Sequence, residues 1–389
     1  MHPAKTYVLY TAVYNFGLGL TFIIYVPFLL KIGLSLSDVA IINTFFMFAL
    51  ALAEIPTGML ADGKSRAWSI RLGTLFHAAG LILYCAAAGF WSAVAAETVL
   101  GLAAAFISGA DKAWLVEALI KRGEGHLVDK TIGTTTMVMR ITSVAGGLTG
   151  LFIGQWSPRM DWLLAAGLNL AAWTIAARHM NGQGEPVRRV SELQALSLSL
   201  AALRRDRTLI WSAGCVLVMG LVCSFNYYWT PFFGETSGQL SLAGIWPMFY
   251  GASIAAGWFI RRRGLAAGKE PPVLISSLIL AGLGLAAVGS CPGIFLTVSC
   301  AFVHELGRGF FDPALDIYTQ RRSESSWRAT FGSLVSMMRT AGIGLITLLL
   351  WALTRGRPND AATITTVWLV CGSLLTAGAA LLWLRRPRN

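Results

Sequence analysis

Long apolar segments recur along the whole chain, and they limit its fold more than any other feature. A helix that crosses the hydrocarbon layer of a bilayer needs about 20 predominantly apolar residues. Hydrophobic residues make up 55% of the chain and charged residues only 13%, whereas ordinary soluble domains carry roughly a quarter charged residues. We therefore predict an all-α membrane protein with twelve transmembrane helices. The twelve apolar runs are centred near Ile23, Phe48, Leu81, Ala105, Gly147, Ala172, Val222, Phe249, Leu280, Leu306, Ile346 and Leu374.

The second half of the chain repeats part of the first half. Gly133 and Arg140 lie seven positions apart, and so do Gly332 and Arg339. A half-chain repeat in an apolar protein predicts two pseudo-symmetric six-helix bundles on either side of a substrate path. We expect the first bundle over residues 1–180 and the second over residues 208–389.

A polar stretch separates the two predicted bundles. We expect residues 181–207 to form a cytoplasmic linker. Within it, residues 190–203 could form a short amphipathic helix on the inner membrane surface. A linker with a solvated basic face is the alternative.

The positions of the Lys and Arg residues predict the orientation. If the N-terminus is cytoplasmic, 23 of the 31 basic residues lie on the inner side of the membrane. The positive-inside rule requires this asymmetry, which places both termini in the cytoplasm. The net charge of +12 is then a topology signal, and no nucleic-acid partner is expected. The first apolar segment has no small-residue cleavage site, so we expect it to remain as the first helix.

The junction of the second and third spans carries a recognisable motif. It reads Glu54-Ile-Pro-Thr-Gly-Met-Leu-Ala-Asp62-Gly-Lys64-Ser-Arg66. This resembles the signature loop of the major facilitator superfamily, which reads Gly-x-Leu-Ala-Asp, a basic residue, x, Gly and two basic residues. The positions that match are Gly58, Leu60, Ala61, Asp62 and Arg66, and those that depart are Gly63, Ser65 and Ala67.

The resemblance extends over the whole chain in span count, linker position and half-repeat. It implies a bacterial inner-membrane secondary transporter that works by alternating access. It also implies that the loop cluster braces the two halves in one conformation, a gating role for Glu54, Asp62, Lys64 and Arg66. Glu117 is a plausible partner for Arg66 or Lys64. An exposed loop ion pair worth under about 1 kcal/mol is the alternative.

Ionisable residues inside the tenth span suggest a functional site. Ionisable groups at mid-bilayer cost at least about 2.5–3.5 kcal/mol each, so they persist when they are paired or functional. Arg308, Asp312 and Asp316 recur every four residues, and Glu305 precedes Arg308 by three. This spacing places them along one stripe of a helix, which we expect to face a cavity or a neighbouring helix. Pro313 is expected to interrupt the backbone there.

The fourth span contains the counterpart acids of the first half. Its Asp111 should lie at the depth of Arg140, as Asp312 should lie at the depth of Arg339. We therefore predict the pairs Asp111–Arg140 and Asp312–Arg339, either lining a cavity or acting as structural ion pairs. Glu97 is interpreted as a water-exposed helix cap near the outer end. It also stands where many proton-driven exporters of the superfamily carry an Arg.

Polar and aromatic side chains complete the predicted pocket. In this superfamily the first and seventh spans line the cavity, which implies substrate-binding roles for Asn15, Asn226, Tyr227 and Trp229, with Glu305 and Arg308. Aromatic surface with a few hydrogen-bonding groups suits an amphipathic organic solute. An interface-anchor role for Tyr228 and Trp229 is the alternative.

Three carboxyl groups are candidates for proton coupling. Burial disfavours the charged form of a carboxyl group and an Arg neighbour favours it, a competition that would apply at Asp111, Glu305 and Asp312. Other classes of protein fit less well. The five His are scattered without a catalytic constellation, and the six Cys lack metal-type spacing. A channel would not need a twofold repeat with a long central linker. We therefore expect no catalytic residue, no metal and no cofactor.

The sequence as a whole predicts proton-coupled efflux of a small amphipathic organic compound, such as a drug or secondary metabolite. Uptake of a polar metabolite such as a sugar or organic acid is the alternative, and a non-transport membrane protein is a remote one. The expected partners are the lipid bilayer, the solute and protons, and the protein is expected to act as a monomer.

Overall fold

In the computed structural model, residues 1–181, 207–322 and 328–387 are described, and every regular element among them is helical. Eight α-helices precede the first gap and seven follow it. The first eight are α1 (Pro3–Phe22), α2 (Tyr25–Lys31), α3 (Leu36–Gly63), α4 (Arg66–Cys85), α5 (Phe90–Ile107), α6 (Ala110–Lys121), α7 (Val128–Gly154) and α8 (Pro158–His179). The remaining seven are α9 (Arg207–Met219), α10 (Cys223–Ser237), α11 (Leu242–Arg263), α12 (Glu270–Val288), α13 (Ile294–Arg322), α14 (Arg328–Thr354) and α15 (Ala361–Leu384).

The helices account for the twelve apolar runs. Within the described residues, ten helical segments are long and apolar enough to cross a membrane, and the bent pair α1 and α2, with a 41° bend, adds one more. The remaining run, centred near Leu81, corresponds to α4, which is 20 residues long. It is not among those segments, and it carries Arg66, Arg71 and His77. The prediction of an all-α membrane protein is confirmed.

The chain divides into two compact units. One contains Met1–Asp38 and Ile42–Glu192, and the other contains Val39–Ile41 and Leu193–Asn389. The main division falls among residues 182–206, which lie outside the described residues, as does the amphipathic helix predicted for residues 190–203. The proposed bundle limits, 1–180 and 208–389, stay a prediction.

Small residues allow the helices of the first unit to approach closely. A Cβ atom on Gly150 of α7 would lie 2.0 Å from the carbonyl oxygen of Leu20 in α1. A Cβ atom on Gly146 would lie 2.3 Å from the carbonyl oxygen of Phe16. Side chains at these two positions would therefore separate the helices, and small-residue faces of this kind are common where membrane helices pack.

The fourth span is broken, whereas the tenth is continuous. Between α5 and α6, Gly109 adopts a φ of +74°, a left-handed conformation that favours glycine. The break places Asp111 in the first turn of α6. In the tenth span, α13 runs without a break through Pro313, so the predicted interruption there is wrong. The helix continues on both sides of Pro313.

Candidate functional site

A cavity of about 140 Å³ lies within the second unit. Its wall comes from α9, α10, α13, α14 and the 3₁₀ turn Gly220–Val222. One part of the wall is polar and the other is apolar. The polar and charged members are Asn226, Arg308, Asp312 and Arg339, and the remaining members are Val216, Met219, Gly220, Val222, Cys223, Phe311 and Ile343.

Arg308 is held from two sides. Its Nη1 donates to Glu305 Oε1 at 2.6 Å and to Asn226 Oδ1 at 2.9 Å. Glu305 and Arg308 lie three positions apart on α13, so one turn of helix brings the two side chains together. Glu305 is buried. Glu305, Arg308 and Asn226, each predicted as a substrate-binding residue, are therefore in contact.

The second ion pair of the cavity joins two helices. Arg339 Nη2 of α14 lies 2.6 Å from Asp312 Oδ1 of α13, which confirms the predicted pair. The side chains are 41% and 59% exposed, respectively. Asp312 is therefore the more accessible partner, and a proton or a solute can reach it.

The equivalent pair in the first unit is absent. Asp111 accepts a hydrogen bond from the Tyr7 hydroxyl at 3.1 Å and one from the Lys112 backbone N–H at 2.7 Å. Arg140 forms no hydrogen bond or ion pair with the residues that the structure describes. The predicted Asp111–Arg140 pair is thus wrong for this structure. The break at Gly109 puts Asp111 at a new helix start, facing Tyr7 of α1.

A line of aromatic and polar side chains continues from Tyr7 in the first unit. The Tyr10 and Tyr14 rings stack with centroids 5.7 Å apart, and Tyr14 lies 5.2 Å from the His77 ring. His77 Nδ1 is 2.9 Å from Asn169 Oδ1. This line was not predicted. The signal was present, because the three tyrosines of α1 recur at helical spacing on one face.

Glu97 is buried. Its side chain accepts a hydrogen bond from the Tyr84 hydroxyl, and only 7% of the residue is exposed. The interpretation as a water-exposed helix cap is therefore wrong. Helices α4 and α5 pack against each other, and this packing brings Tyr84 opposite Glu97.

The signature loop contains the expected ion pair. Arg66 Nε lies 2.6 Å from Glu117 Oε1, which confirms Glu117 as the partner of Arg66. Lys64 Nζ lies 4.5 Å from the centroid of the Trp68 ring. The side chain of Asp62 lies outside the described part of the structure. Glu54 Oε2 is buried and accepts no hydrogen bond within the described residues.

A second ion pair with the same separation occurs in the second unit. Arg321 Nη1 lies 2.5 Å from Glu270 Oε1. The two residues are 51 positions apart, as are Arg66 and Glu117, but the acidic residue now comes first. This pair was not predicted from the sequence. The sequence signal that could have found it is the equal separation of the two pairs, with the acidic and basic residues in exchanged order.

The other residues predicted to bind substrate are not among those that line the cavity. Asn15 donates to the Thr11 carbonyl oxygen in its own helix at 2.8 Å, so its amide nitrogen has a local partner. Trp229 stacks on Trp246 with centroids 5.5 Å apart. Trp229 and Tyr228 are both buried, so the interface-anchor alternative is wrong. Tyr227 and Asp316 do not line the cavity.

Comparisons with known proteins agree with this architecture. A family model described as Major Facilitator Superfamily matches residues 7–347. The solved structure of the nucleoside transporter NupG has a TM-score of 0.77 at 15% identity, covering 100% of both chains.

Two further structures have the same fold. A D-xylose-proton symporter has a TM-score of 0.74 at 12% identity and covers 99% of this chain and 98% of its own. The POT family transporter PepTSo has a TM-score of 0.78 at 11% identity, covering 98% and 97%. At these identities the likeness shows the fold alone. No curated protein matches the sequence significantly.

Proposed function

Because the chain belongs to the major facilitator superfamily, and is a membrane transporter that works by alternating access, we propose that it exports a small amphipathic organic compound in exchange for protons. The single observation that carries the proposal is the cavity of the second unit. Its polar part carries Arg308, which is paired with the buried Glu305 behind it, and the Asp312–Arg339 pair, and aliphatic, sulfur-containing and aromatic side chains form the rest.

The charges of the cavity indicate the kind of solute. Arg308, Arg339 and Asp312 lie on the wall, and the buried Glu305 neutralises Arg308 from behind, so the two positive and two negative charges cancel. Such a site offers donors and acceptors without a net charge. It suits a neutral or zwitterionic solute whose polar end meets the arginines and acids, and whose apolar end meets Val216, Phe311 and similar side chains.

The exposed Asp312 suggests how proton and solute are coupled. A donor group of the solute can bind the Asp312 carboxylate, and so can a proton. Because both occupy the same carboxylate, protonation displaces the solute, which is the requirement for exchange. Glu305 is less suited to this competition, because it is buried against Arg308. Asp111 offers a second proton-coupling candidate in the first unit, where Tyr7 contacts it.

A second candidate function is proton-coupled uptake of a polar metabolite. It is favoured by the fold likeness to a D-xylose-proton symporter. In this case a solute acceptor group would bind Arg339 and release Asp312, which would then take up a proton. Solute and proton would bind together instead of competing.

The sign of this coupling separates the two candidates. The purified protein is to be tested against a panel of amphipathic amines, zwitterions, nucleosides and pentoses by thermal stabilisation, since a ligand that binds only the folded state raises its stability. The compounds that bind are then titrated at several pH values. Exchange predicts weaker binding as the pH falls, whereas joint uptake predicts stronger binding.

Transport by reconstituted protein completes the test. A compound that binds should move against its gradient when a pH gradient is imposed across proteoliposomes, and both directions are to be measured. Asp312→Asn should abolish this proton-driven flux, whereas Asp129→Asn, at the exposed start of α7, should retain it. Full proton-coupled flux in Asp312→Asn would overturn the assignment.

A further inference from the structure

Asp161 is a buried carboxyl group that neither the cavity nor the signature loop uses, and we propose that it is a proton-binding site. It lies in the first turn of α8 and has no exposed surface. Neither of its carboxyl oxygens has a hydrogen-bond partner among the described residues. An ionised carboxylate without a partner is strongly disfavoured in an apolar environment, and such groups become neutral instead. Asp161 therefore holds a proton in this conformation.

The end of α7 fixes the position of this carboxyl group. A Cβ atom on Gly154 would lie 2.8 Å from Asp161 Oδ2 and 2.8 Å from Ile24 Cγ2. The carboxyl group can approach the helix end only because Gly154 has no side chain. Asp161 thus occupies a packed site made by α7, α8 and the segment before α2.

A second buried carboxyl group belongs to the same region. The Tyr84 ring stacks on Trp162, the residue after Asp161, with centroids 4.5 Å apart. The Tyr84 hydroxyl donates to Glu97. A buried carboxyl group without a hydrogen-bond donor is the one that becomes neutral. Glu97 has a donor and Asp161 has none, which assigns the proton to Asp161.

No cation neutralises Asp161 among the described residues. Tyr25 and Tyr84 pack against the adjacent Trp162, Tyr84 in turn bonds to Glu97, and Arg159 lies two positions before Asp161 in α8. The Arg159 guanidinium donates to the Ala87 carbonyl oxygen at 3.4 Å instead.

The location indicates which compartment supplies the proton. Asp161 follows the short connection between α7 and α8, where Trp156 is 88% exposed. The predicted orientation places this end of the unit outside the cell. A proton from outer water forms an O–H bond with one carboxylate oxygen, and it leaves by the reverse step when the packing around Gly154 opens. This inference rests on the proposed proton coupling and adds an outer proton site to it.

Infrared spectroscopy of the full-length protein in lipid tests the proposal with protons as the only ligand. A protonated carboxyl group in a dry site gives a C=O stretching band that shifts in D₂O. We expect this band in the wild type at neutral pH. Asp161→Asn should lose about one protonated carboxyl group per molecule, and the matched exposed variant Asp129→Asn should lose none.

A second variant retains the acid and disturbs its site. Gly154→Ala pushes a methyl group against Asp161 Oδ2, and we expect the midpoint pH of the band to shift. The thermal stability of the wild type should also fall with rising pH more steeply than that of Asp161→Asn, because only the wild type must ionise a buried carboxyl group.

Two outcomes overturn the proposal. One is a wild-type band that survives in Asp161→Asn. The other is a band that disappears when sodium replaces choline at constant pH, since this would identify a metal-cation site. Because no solute is used, the band tests Asp161 independently of the proposed export, which depends on the flux through Asp312→Asn.

Discussion

The fourth and tenth spans are equivalent in the sequence repeat, yet their carboxyl groups have different partners. In the tenth span, Asp312 meets Arg339 at 2.6 Å. In the fourth, Asp111 meets the Tyr7 hydroxyl at 3.1 Å, and the Arg140 that matches Arg339 is not its partner. An arginine favours the charged form of an acid, whereas a tyrosine hydroxyl can bond to either form. The duplicated scaffold therefore supports two kinds of carboxyl chemistry.

Backbone conformation explains how this difference arises. Gly109 and its counterpart Gly309 serve different purposes. Gly109 takes a positive φ and ends a helix, with nothing near its missing side chain. Gly309 lies inside α13, where a Cβ atom would lie 2.8 Å from the Ser253 Cα. One glycine allows a turn and the other allows close packing. Asp111 also follows Gly109 by two residues, whereas Asp312 follows Gly309 by three, so the two acids take different directions.

The largest expected effect comes from the buried acid of the tenth span. Glu305→Gln leaves Arg308 without its buried counter-ion, and we expect the free energy of unfolding to fall by about 3 kcal/mol. Thermal unfolding in detergent measures the change. Glu235→Gln, an exposed glutamate at the end of α10, should change little. Equal effects would show that the Glu305–Arg308 pair contributes nothing to stability.

Glu97, the buried acid of the fourth span that accepts a hydrogen bond from Tyr84, should give the next largest effect. Tyr84→Phe removes one of the two tyrosine donors of the buried Glu97 and leaves only Tyr25. We expect a loss of about 2 kcal/mol, measured by the same unfolding assay. Tyr14→Phe is the matched control, because the Tyr14 hydroxyl has no hydrogen-bond partner among the described residues. It should stay within about 0.5 kcal/mol of the wild type. A loss of stability in Tyr14→Phe as large as that in Tyr84→Phe would show that the hydrogen bond to Glu97 is not the cause.

The two arginines of the repeat allow a direct comparison. Arg339→Gln and Arg140→Gln should each change stability by less than about 1 kcal/mol, because the Asp312–Arg339 pair is largely exposed. Only Arg339→Gln should weaken binding of a cavity ligand, by about tenfold, which corresponds to about 1.4 kcal/mol. Titration of the purified variants with a bound compound measures this. Equal weakening of ligand binding in both variants would mean that Arg140 and Arg339 have the same role.

Asp360, a half-buried carboxylate at a helix start, should give the smallest effect and serves as the reference for the fully buried acids. The Thr363 backbone N–H donates to Asp360 Oδ1 at 2.8 Å at the start of α15, and this bond lowers the pKa of Asp360. Because the folded-state pKa is below the unfolded one, the stabilisation is present above the unfolded value of about 3.9 and is lost as the pH falls through the folded pKa.

Asp360→Ala should therefore have a slightly lower melting temperature than the wild type at neutral pH. The difference should shrink as the solution is acidified, and melting curves across the acidic range would record it. A difference that grows in acid would reverse the assigned sign.

Some site contacts follow from the sequence because they depend on local spacing or on the repeat. The Glu305–Arg308 contact joins residues one helical turn apart. The Asp312–Arg339 pair was predicted from equal depth in neighbouring spans, and that argument succeeds where both helices are continuous. The same argument failed for Asp111, which follows the break at Gly109 and stands one position earlier in the repeat than Asp312.

Other contacts could not be predicted, because they join residues distant in sequence. Asp161 resembles an ordinary first-turn acid, which usually faces water at a helix start. Its burial depends on Gly154 and Ile24, which only packing brings together. Glu97 looked like an exposed cap for the same reason, and Tyr84 removes it from water.

The sequence by itself determined the membrane class, the count of spanning segments and the family, because bilayer thickness fixes how long an apolar run must be. It also determined which acids and bases lie inside those spans. Tertiary structure alone decided which partner each acid meets, because a small rotation or a single break in a helix redirects a side chain. The repeat therefore fixes the scaffold, and packing decides whether an acid meets an arginine, a tyrosine or no partner.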